Sequence, residues 1–334
     1  MLKMIWQRSQ QHVLAIAIFL LVSVIYCLPA MKGMVVNQSD GISWRAMAQQ
    51  SFEYKDKYGH FPEWTNSMFS GMPAFQIAGD SKYPFGLSLG YVNNVLMLGL
   101  PQPANYFFLS CLVFYFLCVV LGVRTWLGIF GAIAYAFSSY NAIIVSVGHM
   151  TKFASMAYIP GVVAGFLLLT QKKYIEGFIA SMLFTCLLIY QNHIQVAYYS
   201  ILIMVCMAIA YAVHAIRKKE LRQLLLVGGL SLGAAALAGI SFSAILMPLN
   251  EYGKETMRGG RSELTMGKKK EDKTSGGLDK DYAFKWSYGI DETLTLALPA
   301  FKGGSSGPAE LGQNGKAVEG LIESAQQARI PENY

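Results

Sequence analysis

Residues 194–216 read IQVAYYSILIMVCMAIAYAVHAI, a run without Asp, Glu, Lys or Arg that closes on the basic cluster Arg217-Lys218-Lys219. An uncharged segment of this length can cross a ~30 Å hydrocarbon core as a helix. It lacks the apolar–polar alternation of a barrel strand, and in lipid a helix is the structure that pairs every backbone N–H and C=O within one segment. Comparable runs occupy 12–29, 104–122, 126–146, 154–170, 175–191 and 224–248, which makes seven predicted spans. The stretch 86–100 is shorter, carries Asn93 and Asn94 at its middle and ends at Pro101 and Pro103. It reads as a helix lying in the membrane interface.

With 54% hydrophobic and only 14% charged residues, the composition excludes a soluble globular fold. The expected class is an all-α polytopic membrane protein. A membrane domain covers 1–249 and includes a large first exterior loop, 30–103; an exterior tail covers 250–334.

The formal charge of +7 raises the question of nucleic acid, and its distribution answers it. Nine basic residues (Lys3, Arg8, Arg124, Lys172, Lys173, Arg217, Lys218, Lys219 and Arg222) sit in one set of loops, against two acids, Glu176 and Glu220. The alternate segments are balanced: five basic and five acidic residues in 30–103, twelve and thirteen from Asn250 onward. This is the positive-inside pattern, which points to a lipid bilayer and not to nucleic acid. It predicts a cytoplasmic N-terminus, with 30–103 and the tail outside. The first span lacks a small-x-small cleavage site and reads as a retained anchor. All five cysteines fall in or beside spans and form neither a disulfide nor a metal pattern.

The 30–103 loop holds Trp44, Tyr54, Tyr58, Phe61, Trp64, Phe69 and Phe75 among polar residues, a density suited to the bilayer surface or to a pocket lining. The tail is rich in Gly, Ser, Lys and Glu, with one predicted short helix near 317–329, and reads as the start of a truncated larger region. Small residues Gly228, Gly229 and Gly233 lie within a span, where they would let helices approach closely.

Charged and polar groups at span ends are the informative candidates, because charge in a membrane is costly and marks a pathway or a site. Four groups fall on the predicted exterior. They are Asp40; His149 with Lys152; His193 with Gln195; and Glu251 leading to Arg258 and Arg261. Each has a simpler reading, since polar turns hydrogen-bond and snorkel into headgroups and an aspartate before glycine forms Asx turns. Together they suggest a shared exterior site. Lys152, Arg258 and Arg261 suit an anion such as a lipid phosphate. A divalent metal held by His149 and His193 with Asp40 or Glu251 is unsupported by any close ligand spacing. No nucleotide-binding loop is present.

Several segments in order carry a resemblance: Ser39-Asp40-Gly41; Trp64 with Phe69-Ser70-Gly71-Met72-Pro73; Gly148-His149 with Lys152 and Tyr158-Ile159-Pro160; Gln191-Asn192-His193-Ile194-Gln195 with Tyr198-Tyr199; and Phe301-Lys302-Gly303-Gly304-Ser305-Ser306. The combination resembles the YfhO family of bacterial membrane proteins, which belongs with the GT-C glycosyltransferases. The resemblance implies inverting transfer of a sugar from a polyprenyl-phosphate donor to an envelope glycopolymer or lipid on the exterior of the cell (inner) membrane. It implies Asp40 as the general base, because GT-C enzymes carry an acidic residue in the first exterior loop. Lys152, Arg258 or Arg261 would stabilise the leaving phosphate, helped by His149 and His193, and Trp64, Gln195 and Glu251 would line the substrate. Members typically continue into further spans and a larger exterior domain. Two other classes stay open: a transporter or flippase of lipid-linked sugars, and a non-catalytic protein of envelope assembly.

Overall fold

In a computed structural model of the chain, the described residues are 2–78, 89–254, 256, 284–285, 287, 289–296, 298 and 301. The predicted tail helix near 317–329 lies outside them, as do Arg258 and Arg261. The chain divides into two compact units, Met1–Phe137 with Asn141–Leu278, and Ser138–Tyr140 with Asp279–Tyr334. In the second, a 3-10 turn at Asp291–Leu296 is the main described feature, and the Glu292 carboxylate accepts the Gly289 N–H at 2.8 Å.

The first unit is helical. Its elements are α1 (Leu2–Tyr26), α2 (Leu28–Met31), α3 (Ser39–Tyr58), α4 (Leu89–Leu96), α5 (Ala104–Val120), α6 (Thr125–Ala136), α7 (Ser139–Val147, which belongs to this unit from Asn141 on), α8 (Met150–Thr170), α9 (Tyr174–Tyr190), α10 (Ile194–Arg217), α11 (Leu221–Ser241) and α12 (Ser243–Gly253). Four helical stretches among the described residues are long and apolar enough to cross a membrane: Thr125–Val147, α8, α10 and α11. Three more, Gln10–Tyr26, α5 and α9, are apolar but shorter.

Two predicted spans are broken. The run 126–146 divides between α6 and α7, and the buried Asn141 amide fills the gap. Its Nδ2 donates to the carbonyls of Tyr135 at 2.9 Å and Ala136 at 3.0 Å, which the break leaves without helical partners. The run 224–248 divides at Phe242, whose ring is buried with Cys186 and Ala238. A local amide–carbonyl contact marks the first break and a tertiary contact the second, and the apolar runs conceal both.

Close packing centres on α8 and α9. A Cβ at Gly161 would lie 2.4 Å from the Phe184 ring, and one at Gly165 would lie 2.5 Å from the backbone N of Ser181. Two glycines four residues apart present a flat helix face, and in lipid such van der Waals contact is what holds helices together. A Cβ at Gly233, one of three glycines expected to do this, would meet the Phe178 ring of α9 at 3.7 Å, whereas Gly228 and Gly229 have nothing within 4 Å of a built Cβ. They face outward on α11, a helix whose apolar window is 17% buried, whereas that of α8 is 72% buried. A second core joins Ala15 and Phe19 of α1 to Phe108, Cys111 and Tyr115 of α5 and Ile129 and Ala132 of α6.

Side-chain contacts fix the two ends of this bundle. At one end Thr125 donates to Gln11 at 3.0 Å, Gln171 donates to the Val120 carbonyl at 3.0 Å and Gln223 to the Thr170 carbonyl at 3.1 Å. The exposed cations Arg124, Lys172, Lys173, Lys218, Lys219 and Arg222 lie at this end. At the other end Tyr26 packs edge-on against Phe107 and Phe137, and Phe107 packs on Phe153.

The 30–103 segment is ordered around α3, which closes on the left-handed Gly59. A short antiparallel pair, Trp64–Thr65 with Met72–Pro73, is fastened to α3 because Gln50 Oε1 accepts from Thr65 Oγ1 at 3.0 Å and Ser67 Oγ donates to the Met47 carbonyl at 2.7 Å. Trp44 and Phe61 both pack edge-on against Phe52, with the Lys55 ammonium 4.1 Å from the centre of the Phe61 ring. Helix α4 packs on α9. Asn93, read as the mark of an interfacial helix, turns its side chain into the bundle, where Oδ1 accepts from Tyr158 at 2.7 Å and from Gln191 at 3.1 Å.

Candidate functional site

The non-basic end of the bundle collects the polar groups. Asp40 stands in the first turn of α3, not in an Asx turn, and a carboxylate there is favoured by the positive end of the helix dipole. His149 is the N-cap residue of α8, and His193 is that of α10. Both histidines follow a residue with positive φ, Gly148 at +102° and Asn192 at +54°, which reverses the chain after the preceding helix. The same local turn therefore delivers both imidazoles to one end of the bundle.

Across 109 residues, Asp40 Oδ2 and His149 Nε2 meet at 2.7 Å. Both side chains keep access to water, at 58% and 47% exposed. The second carboxylate oxygen, Oδ1, meets Ser39 Oγ at 3.4 Å, a long contact that leaves it available. Beside Asp40, Gln38 Nε2 donates to the Val145 carbonyl at 2.7 Å.

His193 belongs to the same neighbourhood. Burial foremost, then the nearby Lys152 ammonium and the His149 ring, hold its imidazole below the ordinary histidine range, so it is neutral at pH 7. Its Nε2 is buried and has no hydrogen-bond partner among the described residues. Next to it, Gln191 is spent on Asn93.

The remaining expected residues are placed apart from the pair or outside the described residues. Gln195 lies in the first turn of α10, exposed, and donates to Tyr199 Oη at 2.7 Å. Trp64 is 56% exposed and donates to Asn66 at 3.1 Å; a Cβ at Gly71 would come within 2.8 Å of its ring. Glu251 is exposed on α12, and no hydrogen bond joins it to Asp40 or His149 among the described residues. Arg258 and Arg261 lie outside the described residues. No group of three His, Cys, Asp or Glu side chains among the described residues could hold a metal ion.

Two contributors escaped the sequence reading. Gln38 carried no signal beyond its place two residues before Asp40. Asn93 did carry one, since a polar amide within an apolar helix demands a partner.

Chemically, the site offers a carboxylate with one oxygen bound and one open, next to a group of cationic and neutral nitrogen donors. Comparison of the chain with protein-family models, curated proteins and solved structures yields no match to any of them.

Proposed function

We propose that this protein is a membrane glycosyltransferase that moves a sugar from a polyprenyl-phosphate donor to an envelope glycopolymer or lipid on the non-cytoplasmic face, with inversion and with Asp40 as general base. The observation that carries the reading is the Asp40 carboxylate, fixed through Oδ2 by His149 and open at Oδ1. A general base of this kind takes the proton of the acceptor hydroxyl as that oxygen attacks the anomeric carbon. Lys152 and His193, close by, suit the anionic phosphate that departs. The donor class rests on the resemblance to the YfhO family.

The membrane arrangement belongs to the same reading. Seven spans result when the shorter helices Gln10–Tyr26, α5 and α9 cross together with the four long stretches. A 17-residue helix is about 25 Å long, close to the lower limit for crossing. The basic end then faces the cytoplasm and Asp40 faces outward, in a bacterial inner membrane.

A transporter or flippase would place charge or helix breaks near the midplane. The break between α6 and α7 fits that class, but in α8, α10 and α11 the Lys and Arg side chains, Lys152, Arg217 and Arg222, are confined to end turns, which favours the enzyme. The test is sugar transfer from a labelled polyprenyl-phosphate sugar by the protein reconstituted in vesicles. Asp40→Asn should lower the rate roughly 10²- to 10⁴-fold. Undiminished transfer would remove Asp40 as base, and movement of the labelled lipid across the bilayer without transfer would favour the flippase.

A further inference from the structure

We infer that the N-terminus of α3 is clasped to the turn between α7 and α8, and that His149 is the positioning residue through which the clasp aims Asp40. The role of the clasp in catalysis rests on the glycosyl-transfer reading; the clasp itself does not.

Three contacts make it. Gln38 Nε2 donates to the Val145 carbonyl at 2.7 Å. Asp40 Oδ2 and His149 Nε2 meet at 2.7 Å. Between these two bonds the chains touch at Gly148, where a Cβ would lie 3.1 Å from both Gln38 Cβ and the Gly41 backbone N. Gly148 also has φ +102°, a conformation that side chains rarely adopt, so two independent constraints call for glycine at that position. These contacts join a helix of the 30–103 segment to the bundle at the residue proposed as base.

The chemistry assigns each atom a task. A carboxylate only accepts hydrogen bonds, so His149 carries a proton on Nε2 and donates it to Oδ2. That bond fixes the rotamer of an otherwise exposed aspartate and leaves Oδ1 as the oxygen that takes a proton. In the transfer step the acceptor O–H breaks and its proton passes to Oδ1. The acceptor oxygen forms a bond to the anomeric carbon, and the bond from that carbon to the phosphate oxygen breaks with its electron pair leaving on the phosphate. His149 neither gains nor loses a proton. The titratable groups around it are the Asp40 carboxylate on α3, the Lys152 ammonium on α8 and the neutral His193 imidazole at the start of α10.

The clasp is tested without activity by cysteines at positions 37 and 146, introduced as Asn37→Cys and Ser146→Cys in a chain freed of its other cysteines and kept in membranes, which leaves all three contacts in place. A short bifunctional thiol cross-linker should join them with Gly148 intact and join them poorly after Gly148→Val. Absence of the cross-link with Gly148 intact, or equal cross-linking in both, would overturn the clasp. The positioning role is read from sugar transfer. His149→Ala should lower kcat roughly 10²-fold, as a displaced base does, with the KM for donor unchanged. His149→Gln, which keeps a donor for Oδ2, should recover most of that loss. Wild-type kcat in His149→Ala, or a loss confined to donor KM, would overturn the positioning role. If the unaltered protein transfers no sugar, the glycosyl-transfer reading fails and the positioning role with it, and the cross-link still decides the clasp.

Discussion

At the basic end of the bundle the cations of the turns, Arg124, Lys172, Lys173, Lys218, Lys219 and Arg222, stand exposed at the surface. At the opposite end the charged and polar groups are tied into the fold: Asp40 to His149, Gln38 to the Val145 carbonyl, and Gln191 to Asn93. Both ends are polar turns between apolar helices, and composition alone describes them in similar terms. The difference lies in which groups are bonded: at the basic end neutral side chains, Gln11, Gln171 and Gln223, make the contacts, and at the other end a carboxylate does. Exposed cations at helix ends need only water and headgroups, and in the proposed topology they set the orientation. A carboxylate held by an imidazole from another element has cost conformational freedom to place, which is the mark of a group whose position matters.

The largest effect that sets the two ends apart is on activity. Asp40→Asn should reduce sugar transfer roughly 10²- to 10⁴-fold. Lys218→Gln at the basic end should leave transfer near wild type, and stability within about 0.5 kcal/mol, as exposed substitutions do. Equal losses from both substitutions in the vesicle assay would erase the distinction.

The next contrast compares two glycines with positive φ. Gly122 at the basic end has φ +71° and nothing within 4 Å of a built Cβ; Gly148 has φ +102° and two neighbours at 3.1 Å. Alanine at position 122 should cost about 1–2 kcal/mol, the strain of the left-handed backbone alone. Alanine at 148 adds displacement of α3 and should lower both the melting temperature in detergent and the transfer rate. A Gly148→Ala protein that melts with Gly122→Ala and retains full activity would contradict the close contact.

A smaller effect concerns pH. The folded protein holds His193 below its ordinary value near 6.5, so the unfolded chain binds the proton first as pH falls. Stability should therefore decline as pH drops from about 6.5 toward the lowered folded value, and it should not change from this source above that window. Melting temperatures across pH 5 to 8 check this expectation. His193→Gln should flatten the acid side of the curve, and an unchanged slope would remove His193 as its source.

Much of the helical architecture was legible because hydrophobic runs are long and charge is confined to their ends. The starts and stops of α5, α8, α9 and α10 fall within a few residues of the predicted spans. Breaks were not legible: Asn141 seals its break through carbonyls only five and six residues back, yet the amide does not announce that geometry in sequence, and Phe242 packs against Cys186, far away along the chain. Nor was the closest helix contact: Gly161 and Gly165 look no different in sequence from Gly228 and Gly229, and only packing against α9 separates them. The site was half legible. Asp40, His149, Lys152 and His193 could be collected by topology, whereas the pairing of Asp40 with His149 depends on how α3 lies across the turn at Gly148.

The claim that the bonded end faces outward and the basic end faces the cytoplasm is open to direct measurement. Single cysteines are introduced as Val35→Cys, at a position 91% exposed beside the Asp40 end, and as Lys218→Cys in the basic turn, each in a cysteine-free chain. Intact cells are then treated with a membrane-impermeant maleimide. Labelling at position 35 in intact cells, with labelling at 218 only after the membrane is opened, is the predicted result. Labelling at 218 in intact cells, with position 35 protected until the membrane is opened, would contradict it.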